Sequence, residues 1–289
     1  MKTFSKSPGV SEVVRVVPCP VCGGSKFRDL WTLSAGSVFV DCAGCGLVLQ
    51  NPRPGGKDLA ARYDQEYFDY EIRNEEIFFD LMMKGLNDVD FFGSIAPTLP
   101  GPPRILDVGC ATGRLLKHFK DAGWETAGAE LCAASVDYGN RRYGVGITAE
   151  PLEGAGFPDE RFSAVHASHL IEHVDDPAAF VREVARVLRP GGVFICVTPN
   201  IGGLQARLFG AGWRSAIPDH VTLFDKSTLR RLLAEAGFEI GKTKTWGGLA
   251  QGSAPGWIKR PMDRWAKIFG FGDVVLMVAR KLPTAPCSY

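Results

Sequence analysis

A chain of 289 residues with 45% hydrophobic and 22% charged residues has the balance of a folded globular protein, long enough for one ordinary core and an appendage. Its formal net charge of +1 gives no whole-chain field for nucleic acid or an anionic membrane. No stretch approaches the ~20 apolar residues of a membrane span. The basic amino terminus (Lys2, Lys6, Arg15) lacks an apolar run long enough for a secretory signal, so a cytoplasmic protein is expected.

Residues 1–17 read as a loose arm. Then come Cys19-Pro-Val-Cys22-Gly-Gly and Cys42-Ala-Gly-Cys45-Gly. Two Cys-x-x-Cys units with 19 residues between them have the spacing of a four-cysteine zinc site. The glycine after each second cysteine permits the tight turn that aims both thiolates at one metal. A disulfide pairing is the competing reading, but no secretory signal supports an oxidising compartment. Four thiolates leave no open position, so a zinc held by Cys19, Cys22, Cys42 and Cys45 is expected to be structural. Strand-like runs at 27–33, 38–41 and 47–49 complete a zinc ribbon over 18–50. Cys110, Cys132 and Cys196 read as small buried hydrophobes.

Asn51-Pro-Arg-Pro-Gly-Gly56 is a linker by composition. The segment 51–103 is expected to be this linker and a helical cover. Helices are predicted at 59–63 and at 75–95, the second with apolar residues at Ile77, Phe78, Leu81, Met82 and Leu86. A second break lies at 97–103.

The segment Arg104-Ile-Leu-Asp-Val-Gly-Cys-Ala-Thr-Gly113 predicts a short buried strand, a small-residue turn and a helix start at Arg114. Backbone N–H groups in such a loop approach a ligand closely. The nicotinamide fingerprint G-x-G-x-x-G does not fit, because Arg114 stands where its last glycine would be. Asp107 in the turn also suits a positive group better than a pyrophosphate. A second strand, 124–130, ends in Glu130, at the distance where an acid bonds ribose hydroxyls. A strand at 162–167 follows, then a helix opened by Asp176-Pro177, with Val181, Val184, Ala185 and Leu188 as its buried stripe. Pro190-Gly191-Gly192 is expected to stop that helix before a fully apolar strand at 193–197 of the buried, parallel type. A helix at 226–236 and strands at 238–246 and 273–280 close the chain. An insertion-like stretch at 247–272 carries Trp257, Ile258, Met262, Trp265 and Phe269.

Residues 107–113, Glu130 and the run from Phe157 to Asn200 together resemble class I S-adenosylmethionine (SAM) methyltransferases. Their first motif reads roughly D-x-G-x-G-x-G, and Ala111 departs from it at the middle glycine. The resemblance implies an α/β domain over 104–282, a Rossmann-like seven-stranded sheet with helices on both faces. It places SAM on Asp107, Gly109, Ala111, Gly113, Glu130, Leu131 and Ser168, with Tyr67 reaching in from the cover. The ribbon, followed by Asn51-Pro-Arg-Pro and Tyr63-Asp-Gln-Glu-Tyr-Phe68, also resembles bacterial small-molecule methyltransferases with an N-terminal zinc module. The deoxysugar C-methyltransferases are among these.

Methyl transfer requires alignment of donor and acceptor, and a base where the acceptor carries a proton. His169 and His220 are the expected acceptor-side pair: His169 because ligands of open α/β sheets sit at the carboxyl ends of strands, and His220 because the resemblance implies an acceptor pocket at the loop after the fifth strand, with a backbone-bonded support of that loop as its alternative reading. His173 is expected to support the loop, His118 to be an exposed bystander and His166 to lie inside its strand. Tyr67 and Phe68 are candidates to close over the SAM sulfonium. The expected partner is a small or carrier-bound metabolite, with an oxygen or carbon acceptor favoured by the resemblance. An RNA or protein methyltransferase docking through the ribbon is one rival, and a non-catalytic SAM-binding scaffold is another. Near-neutral charge argues against nucleic acid. Oligomeric state is not legible.

Overall fold

The computed structural model describes residues 14–34, 36–54, 64–248, 261, 266 and 269–283. The amino-terminal strands are β1 (Val14–Arg15), β2 (Phe27–Thr32), β3 (Val38–Cys42), β4 (Val48–Gln50) and β5 (Arg53–Pro54). β1 pairs with β5, and β2, β3 and β4 form the antiparallel meander of the expected ribbon.

Helix α1 (Gln65–Asp88) starts where Asp64 accepts the N–H groups of Glu66 and Tyr67, the usual side-chain cap. It begins ten residues before the predicted start at 75. The helix expected at 59–63 lies outside the described residues. The cover's apolar face is also narrower than expected. Leu86 is buried, but Ile77 and Leu81 are 59% and 51% exposed. Asp90, in the left-handed region at φ 51°, separates α1 from the short π and 3-10 turns over Phe91–Ile95 and Ala96–Thr98.

The remaining chain alternates strands and helices. In order these are β6 (Arg104–Val108), α2 (Arg114–Asp121), β7 (Glu125–Ala129), α3 (Ala133–Tyr143), β8 (Ile147–Thr148), β9 (Phe162–Ser168), α4 (Pro177–Val187), β10 (Leu188–Pro199), α5 (Leu204–Phe209), β11 (Thr222–Leu223), α6 (Lys226–Glu235), β12 (Phe238–Trp246) and β13 (Val274–Lys281). Seven strands form one sheet in the order β12-β13-β10-β9-β6-β7-β8. Every pairing from β8 to β10 is parallel, and β13 runs antiparallel between β10 and β12. This is the expected Rossmann-like seven-stranded sheet. Alternation of strand and helix produces it because each right-handed crossover lays its helix on a face.

Two details depart from prediction. Helix α4 ends at Val187, earlier than the Pro-Gly-Gly stop, because the residue before a proline avoids helical dihedrals. Pro190 to Gly192 instead lie within β10, where the register against β9 shifts between Leu188 and Val193. The ribbon is also not an isolated appendage. β11 pairs with β4, so the four-stranded sheet β11-β4-β3-β2 joins the ribbon to the larger domain. Cys19, Val21, Cys42 and Leu47 belong to the same apolar cluster as Leu229, Leu232 and Leu233 of α6. Trp257, Ile258, Met262 and Trp265 of the insertion lie outside the described residues. Among the described residues no helix is long and apolar enough to cross a membrane.

Candidate active site and four-cysteine cluster

Strand β6 lies between β9 and β7, so the chain changes direction across the sheet at its carboxyl end. Open α/β sheets bind ligands at such a switch point. The loop after β6 turns on three residues with positive φ: Gly109 (69°), Ala111 (49°) and Gly113 (76°). The glycine next to it on α3 is also sterically required. A Cβ on Gly139 would come within 2.4 Å of the Thr112 carbonyl, so α3 presses directly on the loop backbone.

Glu130 shapes this loop from the end of β7. One carboxylate oxygen accepts the Ala111 N–H at 3.0 Å and the other accepts the Cys132 N–H at 2.9 Å. The residue is 5% exposed, and burial pushes its pKa up against the pull of those N–H groups. The Leu131 N–H also bonds this carboxylate, and an ionised carboxylate has about four acceptor positions, so some acceptor capacity remains. Leu131 and Ser168 sit beside this edge, both half-buried. Asp107 corrects the expectation that it faces a positive ligand group. It is buried and in register with His166 on β9, whose Nδ1 donates to its Oδ1 at 2.7 Å.

Helix α1 lies over the loop and is fastened by carboxylates that sequence reasoning missed. Ser135 Oγ donates to Glu71 at 2.7 Å. Glu75 accepts from Thr112 Oγ1 at 2.6 Å and from the Tyr143 hydroxyl at 2.9 Å. Arg114 pairs with Glu76 at 2.8 Å. Glu71 and Glu75 line a cleft with Cys110, Ala111 and Thr112. Burial, with the Glu130 charge second, pushes Glu71 up to about 7. Their only sequence signal is acids four apart on one helix face. Tyr67 is half-buried on the same helix and hydrogen-bonds Glu71. Phe68 packs edge-on to Tyr138, ring centroids 5.9 Å apart.

At the carboxyl end of β9 the chain turns sharply. His169 has φ 54°, and its N–H bonds the Val197 carbonyl at 2.8 Å. Its side chain is 51% exposed, and its Nδ1 lies 3.3 Å from Oε1 of Glu172, which is fully buried. Glu172 Oε1 has no well-aligned hydrogen bond, while Oε2 accepts from Thr198 Oγ1 at 2.8 Å. Burial raises the Glu172 pKa, but His169, then His173 and His220, outweigh it and hold it down at about 2. Donor atoms of Glu172, His173 and His220 lie within 4.8 Å of one another. Both imidazoles are oriented by backbone carbonyls. His173 Nδ1 donates to Asp219 and His220 Nδ1 to Ser215, at 2.9 and 2.8 Å. The carbonyl contact makes each Nδ1 the protonated nitrogen and leaves Nε2 as the acceptor. His220 is only 8% exposed, and burial pushes its pKa down to about 4. The structure therefore brings the expected pair to one carboxylate, with His169 outermost and His220 behind it. Glu172 was the missed member. His118, expected to be exposed, is half-buried against Phe79 and Phe92.

The four ribbon cysteines converge. Cys19 and Cys45 sulfurs are 3.5 Å apart, Cys22 and Cys42 sulfurs 3.4 Å, and all four are unbridged. Zn–S bonds of ~2.3 Å in a tetrahedron require sulfurs about 3.8 Å apart, so a small expansion accommodates the ion. Gly24 and Gly44 make the cradle, since a Cβ on either would lie 3.3 Å from Cys22 Sγ.

A family described as "Methyltransferase domain" matches residues 82–243, more than half of the chain. The chain belongs to the methyltransferase-domain family. A "Probable S-adenosylmethionine-dependent methyltransferase" of Mycolicibacterium smegmatis is 34% identical over 141 residues, covering 48% of this chain and 53% of that protein. A "Ubiquinone biosynthesis O-methyltransferase" of Cereibacter sphaeroides is 33% identical over 126 residues, covering 38% and 47%. The chain thus spans about half the length of these curated relatives. In fold it is similar to a SAM-dependent methyltransferase of Thermotoga maritima, described as a possible histamine N-methyltransferase. The TM-score is 0.56 at 19% identity, covering 77% of this chain and 99% of the other.

Proposed function

We propose that the protein transfers a methyl group from SAM to a hydroxyl oxygen, or to an acidic carbon, of a small or carrier-bound metabolite. The observation that carries this reading is the half-exposed His169 held against the buried Glu172, beside the loop that Glu130 organises. SAM supplies a methyl carbon activated by its positively charged sulfur. Glu130 offers its remaining acceptor capacity to the ribose hydroxyls. Gly109, Ala111 and Gly113 keep the loop low enough for the methionine part to lie across it. With Nδ1–H turned toward Glu172, His169 presents Nε2 outward, where it takes the proton of an acceptor hydroxyl. The Glu172 charge then stabilises the imidazolium. His220, neutral with its Nδ1–H committed to the Ser215 carbonyl, lies behind Glu172 without itself meeting the acceptor. The O-methyltransferase relatives support an oxygen acceptor before a nitrogen one. Cys19, Cys22, Cys42 and Cys45 would hold one structural zinc, with no place in the reaction.

The test uses S-adenosylhomocysteine (SAH) release with a panel of phenols, catechols and sugar hydroxyls. His169→Gln should slow turnover about 10²–10⁴-fold while SAM affinity stays within about twofold. Glu130→Ala should weaken SAM roughly ten- to hundredfold, since charge-assisted hydrogen bonds contribute about 1.5–3 kcal/mol. Full turnover by the His169 variant removes the base, and unchanged SAM affinity in the Glu130 variant removes the loop assignment.

A further inference from the structure

We propose that Glu71 is a charge-reading residue of the cofactor site, which makes the pocket prefer SAM over its product SAH. The inference rests on the placement of SAM over the loop from Asp107 to Gly113.

Glu71 is carried over that loop by α1. It is 5% exposed, and Ser135 Oγ holds one of its oxygens from the start of α3. It lines the cleft together with Cys110, Ala111 and Thr112, and its charge acts on Glu130, which is also 5% exposed. Two buried acids therefore flank the same loop, since Glu130 bonds the Ala111 N–H and Ala111 lines the cleft beside Glu71. Among the described residues no cation pairs with either. Arg114 lines the same cleft but is paired with Glu76. A buried carboxylate without a cation is costly, and a second one beside it more so. Such a pair favours a ligand that brings positive charge. Burial and the Glu130 charge already push Glu71 up to about 7, the response expected of an acid waiting for a counter-charge.

SAM and SAH differ in one respect at this place. The sulfur of SAM bears three carbon substituents and a positive charge, and the sulfur of SAH bears two and none. The sulfur follows directly from the ribose that Glu130 is assigned to hold, so a carboxylate carried by the cover over the same loop stands near that charge. The Glu130 hydrogen bonds hold both molecules equally. Glu71 adds an attraction that disappears when the methyl leaves, so the spent cofactor is released from the same pocket that held the donor. No bond to Glu71 forms or breaks.

The experiment is calorimetric titration of the full chain and of Glu71→Gln with three probes: SAM, SAH and sinefungin. Sinefungin carries an amine, cationic at neutral pH, where SAM carries its methylsulfonium. Glu71→Gln should weaken SAM and sinefungin about tenfold each and change SAH by less than about twofold. Glu71→Asp should recover part of the difference. A parallel loss for all three probes would mean that Glu71 only fastens the cover helix, and no change for any would remove it from the site. Either result overturns the proposal. Circular dichroism and a melting curve for each variant establish that the fold is intact. Glu130→Ala, run alongside, tests the underlying placement by itself. If that variant binds all three probes normally, the loop assignment fails whatever Glu71 does.

Discussion

Ala111 pairs a non-glycine side chain with a left-handed backbone, at φ 49°. An L-residue there costs roughly 1–2 kcal/mol, and the family motif avoids this with glycine. Ala111→Gly relieves the strain but adds about 0.5–1 kcal/mol of chain entropy to overcome. The net effect should be a gain of up to about 1.5 kcal/mol in urea unfolding, with SAM affinity retained. A large loss would show that the Ala111 methyl fills space in the loop. Glu71 makes the opposite kind of statement. Its pKa is 4.5 when solvated and about 7 in the fold, so the native state holds the proton more tightly. Its stabilising contribution is complete below 4.5 and is lost as pH rises toward 7, by about 3 kcal/mol at ~1.4 kcal/mol per unit. Unfolding midpoints measured without cofactor should fall with this slope from pH 5 to about 7 and level off above it, and Glu71→Gln should flatten the whole curve. Neither the Glu71–Glu130 pair nor the Glu172 cluster was legible in the sequence. The glycine turn and Glu130 form a pattern of fixed spacing within one strand–turn–helix unit. Glu71 meets Ser135 across 64 residues and Asp107 meets His166 across 59, and no local period encodes contacts of that kind.

Among the elements, the strand β4 and the loop before β11 are the least expected partners. The Gln50 side-chain amide donates to the carbonyls of Pro218 and His220 at 2.7 and 2.9 Å. Trp213 and Arg214, at the other end of that loop, are tied to Asp273. The ribbon thus grips the segment that delivers His220. A two-residue strand such as β11 carries no periodic signal, which is why sequence reading placed a linker boundary at 51 and no contact beyond it. The prediction is specific to this coupling. If the ribbon holds zinc as proposed, stripping it with a chelator should impair methyl turnover by tenfold or more, as should replacing Gln50 by Ala. SAM affinity should remain nearly constant, because the loop from Asp107 to Gly113 lies on different elements. Replacing one ribbon thiolate should also loosen β11. Equal loss of SAM binding and turnover would show that the ribbon supports the whole fold without favouring the acceptor side.

At the scale of the whole molecule, the seven-stranded sheet and its helices follow from alternating strand and helix signals, and the order of strands from right-handed crossovers. The four-stranded sheet follows from neither, because it closes over a sequence separation of 170 residues at the Gln50–His220 contact. That separation matters while the chain is being made. At roughly 5–20 residues per second, β4 emerges about 10–30 s before the strand that covers it. During that interval Val48 and Leu49, buried in the finished protein, stand on an open edge able to pair with another chain. A ribbon closed early by its metal would limit the exposed edge to one short strand. Metal supply during synthesis would then govern how much protein reaches the native state, apart from any effect on the finished protein.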